Sequence, residues 1–366
     1  LKDLRLFCFF KTEHFFFRPK GCKLGVRVLS LEKRKWPNFM VMFKRLANNI
    51  KGKHLKIVFP EANDKRVLGA AVRLRVDDLV EPILLGNVAE VKALAAQNSW
   101  NIDAFTIIDP ETYAEYDAMV AAFVERRKGK ATEEQARDLL KDVSYFGTML
   151  VYMGLADGLV SGAVHSTGDT VRPALQIIKT KPGITRTSGA FIMVPAESDG
   201  QKLVFADCAI NINPSPQELA EIAVESAHTA KIFDIEPRVA MLSFSTKGSA
   251  KAPEVDKVVE ATKLAQELAP EVLIDGELQF DASYSEIVAD QKAPGSEVAG
   301  HATVYIFPDL QSGNIGYKIA QRLGRYEAVG PILQGLNAPI SDLSRGCVEE
   351  DVYKVAIITA NQALAN

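Results

Sequence analysis

The sequence predicts an α/β protein of two domains built on mostly parallel sheets. Three observations carry that expectation. From about residue 53, short apolar runs alternate with amphipathic stretches over some 300 residues, the order produced by strands that cross over through helices. The chain has 366 residues, about twice the size of a common domain. Its composition, 47% hydrophobic and 24% charged, suits a soluble globular core and excludes collagen-like, low-complexity and disordered chains.

The elements follow in order. Residues 55–59 (LKIVF) read as a buried strand, and Asn63 as the cap of a helix running through Leu74. Residues 83–85 form the next strand, Asn87 caps a helix to about Gln97, and 105–108 form another short strand. Pro110 suits the first turn of a long helix, and a second helix covers about 132–153. Strand-like runs continue at 158–161, 190–194, 203–206, 238–244, 271–274 and 302–307. Helical patterns lie between them at 171–179, 217–232, 253–268 and 313–323, and a last one follows Glu349. The clearest helix start is Ser215-Pro216-Gln217-Glu218, a capping box with proline at the first helical position.

Charge separates the N-terminal stretch from the rest. Residues 1–41 hold ten Lys/Arg against three acids, and seven of the 18 Phe; with a net charge of −3 overall, the remainder carries −10. This stretch is read as an extension outside the fold, basic but without the Ser richness of a transit peptide, with Met40 or Met42 as an alternative start. The overall charge argues against nucleic acid as a partner. No run of 18 apolar residues exists, so no membrane association is expected. Four scattered cysteines (8, 22, 208 and 347) support neither a disulfide framework nor a zinc pattern, which suits a reducing cytoplasm. A dinucleotide fingerprint, a phosphate-binding P-loop and metal-type His spacings are all lacking, so no metal is expected.

What remains is a set of Ser/Thr/Gly-rich loops after strands: 161–173, 243–250, 308–316 and 338–351. Small residues let backbone N–H groups approach an oxyanion, and a helix N-terminus adds a favourable dipole. Arg172 stands at a helix start, where it either clamps a phosphate bidentately or pairs with Asp169. Arg126 and Arg127 end a helix, where cations suit the dipole. By the same argument Asp351, in a first helical turn, reads as structural on position alone.

The strings IVFPEANDKRVLGAA (57–71), DGLVSGAVHSTGDTVRPALQII (157–178), FADCAININPSPQELAEIA (205–223) and PISDLSRGCVEEDVYKVAIIT (339–359) resemble the phosphate acetyltransferase (phosphotransacetylase) family. The resemblance covers about 42–363 and implies reversible acetyl transfer between coenzyme A and inorganic phosphate. It implies an isocitrate dehydrogenase-like fold with the site in an interdomain cleft, residues 42–185 plus 334–366 forming one domain and 186–333 the other. It further implies a homodimer, coenzyme A or acetyl-CoA as substrate, and no permanently bound cofactor.

Residue by residue, Asp351 would be the general base, seven positions after Ser344, which would position the reacting carbonyl. Arg345 would bind substrate, Arg172 would hold the phosphate of acetyl phosphate, and Ser166 would lie in the same phosphate loop. Arg126 would be a further active-site arginine, its register with Arg127 left open by RRKGKAT. The stretch 191–198 lacks the cysteine that some relatives carry there, so no cysteine-linked sensitivity is implied. The base would take the thiol proton as sulfur attacks the acyl carbon, in a ternary complex without an acyl-enzyme. A butyryl- or propionyl-preferring transferase and, from another class, a non-catalytic metabolite-binding domain are the alternatives. A dehydrogenase on the related fold lacks both its metal-binding acids and a nicotinamide site.

Overall fold

The computed structural model describes residues 38–196 and 200–365. The expectations placed on 1–37, with Cys8 and Cys22, lie outside the described residues. The strands are β1 (Lys56–Phe59), β2 (Glu81–Leu85), β3 (Thr106–Ile108), β4 (Gly158–Ser161), β5 (Ser188–Pro195), β6 (Leu203–Ala206), β7 (Arg238–Leu242), β8 (Leu273–Leu278), β9 (Val304–Ile306), β10 (Tyr326–Gln334) and β11 (Ile340–Asp342). The helices that position the site are α1 (Asn38–Ile50), α2 (Lys65–Val76), α3 (Val88–Gln97), α4 (Tyr116–Arg127), α5 (Glu133–Leu139), α6 (Val143–Tyr152), α7 (Thr167–Pro173) and α8 (Pro216–Ile232). The chain continues through α9 (Pro253–Leu268), α10 (Phe280–Tyr284), α11 (Glu286–Lys292), α12 (Leu310–Arg322) and α13 (Glu349–Ala365).

Two sheets result, and parallel pairing dominates. The first is a wholly parallel five-stranded sheet in the order β11-β4-β1-β2-β3. The second has six strands, β10-β5-β6-β9-β7-β8, parallel from β6 to β8 with β5 and β10 antiparallel at one side. Strands such as β4, buried at every position, read as continuous apolar runs because helices cover both faces. One core cluster reaches both sheets: Ile57 and Leu84 of the first, and Ile192, Val204 and Val239 of the second, join residues of α1, α8 and α13.

Local chemistry explains where helices begin. Ser215 caps α8 through a reciprocal capping box with Glu218, and Asn87 caps α3 through the N–H groups of Ala89 and Glu90. Elsewhere the structure corrects the expected boundaries. The cap of α2 is Asp64, not Asn63, and its carboxylate accepts from Arg66 N–H. Pro110 opens only a 3₁₀ turn before α4, and the stretch 132–153 divides because Asp142 caps a fresh start at α6. Two strands escaped the sequence reading, β10 and β11, as did helices α1, α10 and α11. Helix α1 begins at Asn38 and buries Met42, Phe43, Leu46 and Ile50.

The strand order decides what can meet. Because β1, β4 and β11 are adjacent and parallel, the segments 60–64, 162–166 and 343–348 leave the same edge of the sheet side by side. Carboxyl ends of parallel strands are where α/β proteins collect ligands.

Candidate active site

At that edge the buried carboxylate of Glu61 organises the loop after β4. It accepts N–H bonds from Ala163, Val164 and His165, each at 2.8 Å, and meets His165 Nδ1 at 2.8 Å as well. Glu61 is 2% exposed, so these bonds form in a poorly solvated setting where an unpaired carboxylate would be costly.

Arg66 ties this loop to the segment after β11. Its guanidinium pairs with Asp64 and donates to the carbonyls of Ala163, Arg345 and Cys347 at 2.8–2.9 Å. The Asp64 partnership raises the Arg66 pKa and outweighs burial. Burial pushes the Cys347 thiol up, opposed by Arg66, while Asp351, Asp64 and Glu61 add to the rise. These charges therefore converge on one spot. A buried, upshifted thiol such as Cys347 is inert rather than nucleophilic.

Ser344 and Arg345 are exposed in the turn that leads into α13, where Ser344 Oγ accepts from the Gly346 N–H at 3.3 Å. Asp351 is exposed in the first turn of α13, and its Oδ2 accepts the Val348 N–H at 2.9 Å. The two acids before it are anchored. Arg73 bonds Glu349 at 3.1 Å and Glu350 at 3.0 Å while lying over the Tyr353 ring. Burial pushes the neighbouring Glu327 carboxyl up, with the Asp351 charge adding to the rise and Lys354 opposing it.

Ser166 caps α7, its Oγ donating to Asp169 Oδ2 at 2.6 Å. That bond holds the Asp169 carboxyl below its usual range, and Arg172 and His165 pull the same way. Arg172 is exposed. A Cβ placed on Gly168 would lie 3.7 Å from Ser166 Oγ and 3.9 Å from Arg172 Nη2, in ordinary van der Waals contact with both. Arg126 is committed elsewhere: its Nε and Nη2 donate to the carbonyls of Ile177 and Ile178 at 2.5 and 2.8 Å. Arg127 spends one donor on Gln176 O at 3.3 Å. With Arg172 it opposes the burial that raises the Tyr145 pKa.

Four contributors escaped the sequence reading: Glu61, Arg66, His165 and Asp342. The available signal was position, since Glu61 and Asp342 stand at the carboxyl ends of buried strands. Asp342 Oδ1 is buried without a hydrogen-bond partner, and so is Thr170 Oγ1. Burial pushes the Asp342 carboxyl up, and the Glu61 charge adds to the rise.

The comparisons say which family this α/β scaffold belongs to. The family model described as phosphate acetyl/butaryl transferase matches residues 41–360. The chain belongs to that family, whose members are acyltransferases. It is similar to the phosphate acetyltransferase of Bacillus subtilis, 62% identical over 323 residues that span 88% of this chain and 99% of the relative. Among solved structures it is similar to a phosphotransacetylase from Streptococcus pyogenes, with TM-score 0.88 and 62% identity over 89% of this chain and 99% of the other. The EutD phosphotransacetylase from Staphylococcus aureus gives TM-score 0.84 and 57% identity over 88% and 98%. No described helix is long and apolar enough to cross a membrane.

Proposed function

We propose that this protein catalyses reversible transfer of an acetyl group between coenzyme A and inorganic phosphate, by direct attack within a ternary complex. The observation that carries the reading is Arg66, which donates to the carbonyls of Ala163, Arg345 and Cys347 and so fastens the loop at 163 to the turn that leads into the helix of Asp351. The activity named for its close relatives points the same way.

A thiol is mostly protonated at neutral pH, so attack on an acyl carbon calls for a base within hydrogen-bond reach of sulfur. Asp351 fills that role. Its Oδ2 is occupied by the Val348 N–H, which leaves Oδ1 to face the thiol. As the S–C bond forms, charge gathers on the carbonyl oxygen, and Ser344 with Arg345 stabilises it; one such donor is worth about 3 kcal/mol in comparable sites. Arg172 holds the phosphate at α7, and Ser166, whose hydroxyl proton goes to Asp169, shapes the same loop. Arg126 supports that half-site through the Ile177 and Ile178 carbonyls, and Arg127 supplies the second cation. Coenzyme A and acetyl phosphate are substrates here, and no step requires a resident cofactor.

The test is release of free thiol from acetyl-CoA on adding phosphate, with arsenate as a substitute acceptor. Phosphate-dependent release with formation of acetyl phosphate supports the reading, and its absence overturns it. Repeating the assay with butyryl-CoA sets the acyl preference, since one or two methylenes change binding by only about 1–3 kcal/mol each.

A further inference from the structure

The transfer has a proton problem that Asp351 alone does not solve. When coenzyme A attacks acetyl phosphate dianion, the S–C bond forms, the acyl C–O bond breaks, and the bonding pair leaves on the phosphate oxygen. Unprotonated, that leaving group is the phosphate trianion, a far stronger base than any group at neutral pH. Asp351 takes the thiol proton on the sulfur side. A second group has to deliver a proton on the phosphate side, and none of the arginines can release one.

The Glu61–His165 pair fits that need. Glu61, buried behind the loop, accepts from three successive backbone N–H groups and meets the ring at Nδ1. A carboxylate only accepts, so Nδ1 carries a proton and the free chemistry of the ring is at Nε2. The imidazole is 30% exposed while Glu61 is 1% exposed at its side chain, so the ring's outer edge is the part that reaches solvent. It sits between Val164 and Ser166 in the loop whose hydroxyl and Arg172 border the space above Gly168. The same two-part device, a buried carboxylate orienting an imidazole whose far nitrogen moves the proton, serves acid–base chemistry on unrelated folds.

We propose that His165 is the general acid for departing phosphate, with Glu61 as its positioning residue. In the forward direction His165 Nε2–H gives its proton to the phosphate oxygen as the C–O bond breaks, yielding monohydrogen phosphate. In reverse, neutral Nε2 takes the hydroxyl proton of monohydrogen phosphate as it attacks acetyl-CoA, and Asp351 returns a proton to sulfur. Each turnover moves one proton from thiol to phosphate, with solvent resetting the two groups. The charged groups around the ring are Glu61 on Nδ1 and Asp169 on α7, with Arg66 and Asp342 facing Glu61 from α2 and β11.

This inference rests on the reaction proposed above, and its test separates the two. Wild-type protein inactive in the thiol-release assay would sink the reaction itself, whereas the following outcomes concern His165 only. The His165→Gln variant should lose about 10²- to 10³-fold in kcat with acetyl phosphate while its KM for acetyl phosphate stays within about threefold. The alkaline decline of wild-type kcat/KM, expected of a group that must be protonated, should vanish in the variant. With acetyl monomethyl phosphate, whose leaving group departs as a dianion needing no proton, wild type and variant should differ by less than about fivefold. Glu61→Gln should share the kcat loss. A raised KM with kcat retained, or an equal loss with both acyl donors, would overturn the proposal. Should the variants fold poorly, carbethoxylation of the wild-type protein decides: modification mapped to His165 must track loss of activity and be slowed by inorganic phosphate. Full activity after modification at His165 would overturn it.

Discussion

Gly162 is the point where the phosphate loop and the turn before α13 come closest, and replacing it by alanine tests the geometry. Its φ is +106°, outside the range that side-chain-bearing residues adopt readily. A Cβ there would stand 2.5 Å from Asp342 Oδ1, 2.6 Å from Leu343 O and 2.7 Å from Leu343 N. Two of those atoms are backbone and cannot swing aside. Leu343 N already donates to Ser161 O at 2.7 Å, so retreat breaks the bond that joins the ends of β4 and β11. Backbone strain of about 1–3 kcal/mol, overpacking of about 1–3 kcal/mol and a weakened bond of about 1 kcal/mol give a loss of roughly 3–7 kcal/mol. Thermal unfolding should fall by roughly 10 °C. Turnover in the thiol-release assay should fall about tenfold or more, because the Ser344 turn shifts against the loop. Gly129→Ala is the control, since φ is +79° there but nothing lies within 4 Å of the new carbon; it should lose only about 1 kcal/mol. Gly162→Ala with wild-type melting and turnover would refute the claim that loop and turn are locked together.

Four further variants probe separate links. Gly168→Ala fits without a clash and should melt no lower than wild type, yet its methyl occupies the space bordered by Ser166 Oγ and Arg172 Nη2; the KM for phosphate should rise about tenfold. Arg126→Gln should lower stability by about 1–3 kcal/mol, as the Ile177 and Ile178 carbonyls lose charged donors. Arg127→Gln should leave melting nearly unchanged and weaken acetyl phosphate binding, as Michaelis constants will show. Asp342 has a raised pKa in the folded protein, so its contribution is fully favourable below the unfolded value near 3.9 and is lost as pH rises through the folded value. Melting followed from pH 4 to 7 should therefore show Asp342→Asn gaining on wild type as pH rises; parallel curves would refute that burial.

Much of the fold was legible because buried parallel strands are short unbroken apolar runs. The expected bounds of β4 and β6 match the structure residue for residue. Strand β10 was not legible: YEAVGPILQ carries Gly330-Pro331, which argues against a strand, and a register shift between Val329 and Ile332 accommodates them. Strand β11 is three residues long, too short for any period to show. The split between α5 and α6 was hidden because Asp142 reads as one more polar residue on a helical face. For the site, the motifs picked out the segments 161–173 and 338–351, while the bonds that join them did not show. Glu61 contacts residues more than 100 positions away, and Arg66 reaches nearly 280 positions to Arg345. Local pattern carries no information on partners at that separation. The roles expected of Asp351, Ser344 and Arg172 come only from family resemblance; helix position alone reads Asp351 as a structural acid.

Turnover of Asp351→Asn with coenzyme A and acetyl phosphate, measured across both concentrations, tests the central claim most directly. If this carboxylate removes the thiol proton, kcat falls by about 10²- to 10⁴-fold while both Michaelis constants and the melting temperature stay close to wild type. Turnover at the wild-type level in that variant would contradict the account.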